Sequence, residues 1–424
     1  MKKETVELKE YETSQVLPHK LLTDDDRLFL KELTRYKDKH RFYFEELKRG
    51  FQIRAQSWVG VIELSNLRIQ ITPKFDRGFS RLVEMLCFLD DIPHHNWRDT
   101  SGELDKSDFV ELLARMFLQE LKKVIQSGIV KEYVTLEDNL NQMRGRPDFL
   151  INMRMNYATP TRMYCHFDEL ITDIPENQVL RTALEVLQRL PIQSSTKKRV
   201  RRLLGEFEDF CESYLELGWP HFQYNRLNAH YETSHDLAYY IIHQTFLKDM
   251  YKARDQTYFS LLMDMNDLFE RFSAKLLQTY LPKPTYRVKP DKSFSHAIRS
   301  GEDCYRSIKP DIIVQNRSDQ TNLVLDVKYK NYGPNRINND DIYQLSFYAH
   351  SFHRDTSKPC SVHLIYPKYA DEQAPEENLS LLPGTPHALH LHTKPLSIET
   401  TLDLIKSKRT QDLTNLATSL ISGH

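Results

Sequence analysis

Two acids and a lysine on neighbouring strand-like runs are the residues of this 424-residue chain best placed to do chemistry. Pro310-Asp311 heads the run IKPDIIV, and Asp326-Val327-Lys328 lies near the end of NLVLDVKYK, across the polar turn NRSDQT. In a hairpin both acids fall at one end of a sheet, and Asp326 and Lys328, two apart on a strand, point to the same face. Two converging carboxylates suit a hard cation such as Mg²⁺, with the carbonyl of Val327 as a third oxygen. Such an ion acidifies water and neutralises charge building on a phosphate. Lys328 then orients that water or stabilises the phosphate charge. A strand ending in Asp-x-Lys can also be a solvated edge. Here, however, Asp326 stands among Leu323, Val324, Leu325 and Val327, where a charge is costly unless paired or bound to metal.

The flanking helices bear on this set. Residues 261–280 read as one helix with Met265, Leu268, Phe269, Phe272 and Leu276 on a single stripe. Glu270 lies at the edge of that stripe, from where it can complete or tune the site, although a helical Glu is more often plain surface. After the Lys328 strand, residues 340–353 form a second expected helix, which puts Gln344 and Tyr348 on one face. They read either as neighbours of the site or as a packing Tyr beside a surface Gln.

These elements belong to an expected α+β multidomain chain. Residues 1–105 read as a strand-rich N-terminal domain. It has a helix capped by Thr23 ahead of Asp24, Asp25 and Asp26, and a hairpin turning at Ser65-Asn66. Residues 106–255 read as a helical region, with Gly128 as a helix end, an inserted strand-rich segment at 132–170 and a long helical stretch at about 175–255. Residues 256–424 read as a C-terminal α/β domain of order helix, strand, strand, helix, strand.

Further basic residues invite a binding reading. Lys197, Lys198, Arg199, Arg201 and Arg202 put five cations in six positions near a helix start. There they oppose the helix dipole and could meet phosphates; the other reading is a solvated helix face. Arg144 and Arg146, near a turn in the inserted segment, could be delivered to a partner's active site or could decorate a structural hairpin. In the tail, His387, His390 and His392 read as exposed decoration more readily than as metal ligands.

Composition bounds the rest. A net charge of −1 neither favours nor excludes nucleic acid. There is no apolar run long enough to span a membrane. The N-terminal MKKETVELKEYE lacks the apolar core of a secretory signal. Five scattered cysteines without CxxC spacing fit reduced thiols, so a cytoplasmic location is expected.

Glu270, Pro310-Asp311, Asp326-Val327-Lys328 and Gln344-x-x-x-Tyr348 together resemble the PD-(D/E)xK nuclease superfamily, and the Gln-x-x-x-Tyr element is similar to its RecB-like branch. That resemblance implies a restriction-endonuclease-like core and Mg²⁺-dependent cleavage, with Mn²⁺ as a substitute, leaving 5′-phosphate and 3′-hydroxyl ends. MNDLFERF, YNRLNAHYETSHDLAYYII, DIPENQVLRTAL, MRGRPDF and GVIELSNLRIQITPKF look like the McrC family, in order from about residue 10 to about 370. The McrC resemblance implies the endonuclease subunit of a modification-dependent restriction system for antiphage defence. It acts on double-stranded DNA and caps an McrB-like AAA+ GTPase hexamer, whose GTP hydrolysis it stimulates. GTP enters only through that partner, and the chain has no GxxxxGK[ST] of its own. Cutting both strands suggests assemblies dimerised through the nuclease. Two other readings stay open: an autonomous RecB-like repair nuclease, and a non-catalytic activator of an AAA+ ring.

Overall fold

Alternation of apolar and polar residues in 67–72 and the apolar run 58–63 produce the expected hairpin. Strands Trp58–Glu63 and Leu67–Thr72 pair antiparallel, with Val61 opposite Gln70. The computed structural model describes residues 3–36, 39–75, 77–89, 109–158, 161–216, 218–249, 257–290, 293–300, 303–330, 332, 336–352, 360–369, 376–385 and 388–423. These group into two compact units, one made of 1–109 with 248–424 and the other of 110–247.

In the first unit the hairpin anchors a sheet. Glu4–Lys9 joins one side in parallel, and Thr257–Asp264 joins the other antiparallel, with Phe259 opposite Glu63. A strand from the second half of the chain therefore hydrogen-bonds directly to the N-terminal hairpin. Gly60 makes that approach possible, because a Cβ there would sit 1.9 Å from the carbonyl oxygen of Leu261. The single helix expected over 261–280 is thus shortened: its first four residues are strand, and the helix begins at Met265. Asp264 caps it by accepting the amide of Asn266 at 3.0 Å.

The helix Asp24–Leu33 carries the expected cap as a full capping box between Thr23 and Asp26. Asp26 is also fully buried and accepts the amide and hydroxyl of Ser65 at 2.9 and 3.0 Å, which ties helix to hairpin turn. Phe29, Phe42, Phe51, Ile62 and Ile69 fill the core between them.

Six strands build the second sheet of this unit. Helix α1 (Met265–Tyr280) leads into β1 (Tyr286–Pro290), β2 (Ile312–Asn316) and β3 (Asn322–Val327). Then follow α2 (Asn339–Phe352), β4 (Cys360–Lys368), β5 (Asn378–Leu381), β6 (Leu389–Ser397), α3 (Ile398–Lys406) and α4 (Thr410–Ile421). The spatial order is β1-β2-β3-β4-β6-β5. β2 and β3 run antiparallel, whereas β3-β4 and β4-β6 run parallel. The parallel step from β3 to β4 needs a crossover, and α2 supplies it, packing Leu345 and Ala349 with Val324, Val362 and Leu364.

The tail is part of this sheet and not a solvated appendage. His392 is buried on β6, with Nδ1 2.6 Å from Asn378 Oδ1 and its ring beside His363. This overturns the exposed reading for that residue. His390 is half-buried, and His387 lies outside the described residues.

In the second unit, strands Glu132–Leu140 and Met163–Ile171 pair antiparallel, and the short strand Arg146–Pro147 lies against the latter. The expected long helical stretch is broken into helices Pro175–Arg189, Ser194–Glu208 and Glu232–Gln244. Pro191 sits in the first break, and the irregular residues 218–228 include Gly218 and Pro220. Leu180, Leu184, Val200, Leu204, Phe207 and Ile241 are buried. Gly128, at φ 106°, ends the helix Phe109–Ser127 as expected.

Candidate active site

Hairpin register sets the geometry of the site. Ile312 of β2 lies opposite Leu325 of β3, so Asp311, one residue before β2, falls beside Asp326. The backbone amide of Val327 donates to Asp311 Oδ2 at 2.7 Å, which fixes the first carboxylate against the second strand. Asp326 is completely buried, between Leu325 and Val327 in sequence. Lys328 Nζ stands 2.8 Å from Asp326 Oδ2, yet neither oxygen of that carboxylate accepts a well-aligned hydrogen bond. Ion pairing without aligned acceptance leaves lone pairs of a buried acid uncommitted, a costly state in a folded core.

Electrostatics follow from this crowding. Burial pushes the Asp311 carboxyl up, and the charge of Glu270 on α1 adds to the push; Lys328 and the Val327 amide oppose it. Burial and then the charge of Asp311 raise Asp326, against the pull of Lys328. Two carboxylates that cannot both ionise comfortably make a site whose charge state improves when a cation arrives. Burial works against the Lys328 ammonium, but Asp326 and Asp311 outweigh it and hold the group above the ordinary lysine range. The two carboxylates thus favour the ammonium form of Lys328.

The two expected flanking helices reach the same region. Glu270 and Asp311 both line a cleft of about 210 Å³ along α1. On α2, Gln344 Nε2 donates to the Tyr348 hydroxyl at 3.0 Å, and that hydroxyl reaches the carbonyl oxygen of Lys309 at 3.4 Å. The pair therefore braces the peptide two residues before Asp311, which is more than helix-surface packing.

Among the described residues, no three His, Cys, Asp or Glu side chains are grouped so as to hold a metal ion by themselves. The donor set offered is two carboxylates, Asp311 and Asp326, with Glu270 on the cleft wall. Mg²⁺ is commonly bound by one or two carboxylates, with water and substrate phosphate completing the shell, so the set fits that ion.

Sequence reading overlooked several supports. Lys330 Nζ contacts Asp341 at 2.8 Å, and Tyr332 donates to the same buried carboxylate at 2.6 Å. Burial notwithstanding, these two partners hold Asp341 below the usual carboxylate range. The contacts pin the segment leaving Lys328 to the start of α2. The acid pair Asp340-Asp341 in the first turn of α2 was the available signal.

The other candidate residues lie in the second unit. Gly145, at φ 66°, makes the turn between Arg144 and Arg146, and a Cβ there would meet the His166 carbonyl oxygen at 2.3 Å. Arg144 is engaged locally, 3.3 Å from Glu169 and over the Phe167 ring at 4.3 Å. Arg146 is exposed on the edge strand. Beside them the helix Phe149–Met155 buries none of its residues, and Met143, Phe149, Leu150, Met153 and Tyr157 all face solvent. In the basic run, Lys198, Arg199, Arg201 and Arg202 are exposed, whereas Lys197 turns its amine toward the Leu190 carbonyl at 3.5 Å.

A family model described as McrBC 5-methylcytosine restriction system component matches residues 53–367. The fold is similar to a chain in the refined half-complex from the tetradecameric assembly of Thermococcus gammatolerans McrB AAA+ hexamers with bound McrC. The TM-score is 0.63 at 18% identity, covering 98% of this chain and 100% of that one. A chain of the cryo-EM structure of the Thermococcus gammatolerans McrBC complex matches with TM-score 0.45 and 18% identity over 65% of this chain and 88% of that one. No curated protein matches the sequence. Among the described residues, no helix is long and apolar enough to cross a membrane.

Proposed function

This chain belongs to the McrBC 5-methylcytosine restriction system component family, and we propose that it is the Mg²⁺-dependent DNA endonuclease subunit of such a system. The observation that carries the proposal is the pairing of Asp311 with the buried Asp326, and of Asp326 with Lys328. The order acid, acid-x-lysine on adjacent strands, preceded by Glu270 and followed by Gln344 and Tyr348, supports a PD-(D/E)xK core of RecB-like type.

In this reading Asp311 and Asp326 hold Mg²⁺, or Mn²⁺ in its place, with the Val327 carbonyl and Glu270 as further oxygens. When bound, the ion supplies an acidified water and neutralises negative charge at the scissile phosphate. The Val327 amide holds the Asp311 carboxylate in its direction, so the acid is ordered before substrate arrives. Lys328 stays protonated and presents a fixed positive charge for the phosphate, which costs no reorganisation during reaction. Gln344 and Tyr348 hold the Lys309 peptide and thereby the approach of Asp311. The products are 5′-phosphate and 3′-hydroxyl ends.

We infer that the chain works in the cytoplasm with an McrB-like AAA+ GTPase hexamer, which alone binds GTP. Exposed apolar residues on and around helix 149–155, next to Arg146, support the inserted segment as the surface that meets this partner. A patch of that kind is unusual on a chain that acts alone. Two such assemblies joined through their nuclease domains would cut both DNA strands. The test is cleavage of methylated and unmethylated plasmid with Mg²⁺, with and without the AAA+ partner and GTP. Cutting restricted to the complete, GTP-fed mixture supports the reading. Efficient cutting by the chain alone would make it an autonomous nuclease.

A further inference from the structure

We propose that Arg271 and Lys275 of α1 form a phosphate-binding wall that seats the DNA backbone beside the acids, an inference that rests on the nuclease reading. Glu270, Arg271, Ala274, Lys275 and Gln278 line the cleft that Asp311 shares. Their spacing repeats at helical intervals, so they form one stripe along α1. Charge changes sign along it, from Glu270 at the acid end to Lys275 at the basic end.

That change of sign separates two tasks. Acids near Asp311 suit a cation, while the cations beside and beyond Glu270 on the stripe suit the phosphates flanking the scissile one. Arg271 and Lys275 are four residues apart, a rise of about 6 Å along the helix. This is comparable to the through-space separation of neighbouring phosphates on one DNA strand. Ala274, the small side chain between them, lines the same cleft. Both cations are half-buried, which limits the freedom lost when they bind. Arg271 also stands 3.9 Å from Asp267, one turn earlier. A planar guanidinium can take two phosphate oxygens at once, and the lysine acts as a point charge.

The experiment measures affinity of the full chain for a fluorescent DNA duplex across a series of KCl concentrations, with Ca²⁺ replacing Mg²⁺ to suppress cutting. Each phosphate contact contributes about 0.9 to the slope of log affinity against log salt. The double variant Arg271→Gln with Lys275→Gln should flatten the slope by about two, and Lys275→Gln alone by about one. The charge-preserving pair Arg271→Lys with Lys275→Arg should keep the slope of the unaltered chain, which a purely structural role would not require. Should the double neutral variant melt early, the single variant decides. A neutral variant with the original slope overturns the proposal. Absence of any DNA binding by the unaltered chain, both alone and in the mixture with the AAA+ partner and GTP, would instead defeat the nuclease reading, and this inference with it.

Discussion

The Tyr329 hydroxyl, one residue beyond the site lysine, donates to Glu10 Oε1 at 3.0 Å. Glu10 follows the N-terminal strand Glu4–Lys9, is almost fully buried, and also accepts the Lys74 amide at 3.1 Å. The strand that carries the site is thus fastened to the N-terminal sheet through a carboxyl group. Burial pushes that carboxyl up to about 8, although Tyr329 and the Lys74 amide pull the other way.

This link has a pH signature. An acid whose folded-state value lies above its unfolded value of 4.5 contributes stability that is fully present below about 4.5. That stability is lost as pH rises through about 8. Glu10→Gln mimics the protonated acid and should remove the loss. At pH 9 the variant should exceed the unaltered chain by on the order of a few kcal/mol, while at pH 5 the two should nearly coincide. Urea denaturation at both pH values checks this, and equal stabilities at pH 9 would refute it.

Bracing by α2 should be worth about fivefold in rate. Gln344→Ala and Tyr348→Phe each remove part of the chain of hydrogen bonds to Lys309, a loss of about 1 kcal/mol. Cleavage by the assembled system should fall accordingly, with DNA affinity little changed. Unaltered cleavage by both variants would reduce the pair to packing.

The exposed helix Phe149–Met155 gives a separable test of the partner surface. Phe149→Ser, Leu150→Ser and Met153→Ser together remove no buried side chain, so the melting temperature should move by no more than about 2 °C. Stimulation of the partner's GTPase should be lost, and Arg146→Ala should weaken it. Full stimulation by the triple variant would place the contact elsewhere.

Lys328→Met tests the fixed positive charge. Removing a preorganised electrostatic group of this kind typically costs about 10²- to 10³-fold in rate. The loss should persist at saturating Mg²⁺, because it does not arise from weaker ion binding. Restoration of rate by raising Mg²⁺ alone would instead make Lys328 a support for the carboxylates.

Much of the site was legible because it violates local expectation: Asp326 is an acid inside an apolar β-branched run, and a buried charge needs a reason. Gln344 and Tyr348 were legible through helical period, although their reach to Lys309 was not. What escaped was set by partners distant in sequence. Residues 261–264 alternate poorly and read as helix, yet Gly60, two hundred positions earlier, admits them as a strand. His392 looked exposed because strand alternation does not reveal that Asn378 and His363 cover it. Glu10 carried no motif, and its importance comes only from burial beside Tyr329. The apolar residues of 149–155 read as ordinary content until the fold left them without a core.

The central claim is that Asp311 and Asp326 carry the hydrolysis. Its most direct test is plasmid cleavage by Asp326→Asn in the complete mixture of chain, AAA+ partner, GTP and Mg²⁺, with GTP hydrolysis followed in the same samples. Asn preserves shape and removes charge, so cleavage should fall by at least about 10³-fold while stimulated GTP hydrolysis continues at the original rate. Cleavage within a few fold of the unaltered chain, with GTP hydrolysis intact, would contradict the account.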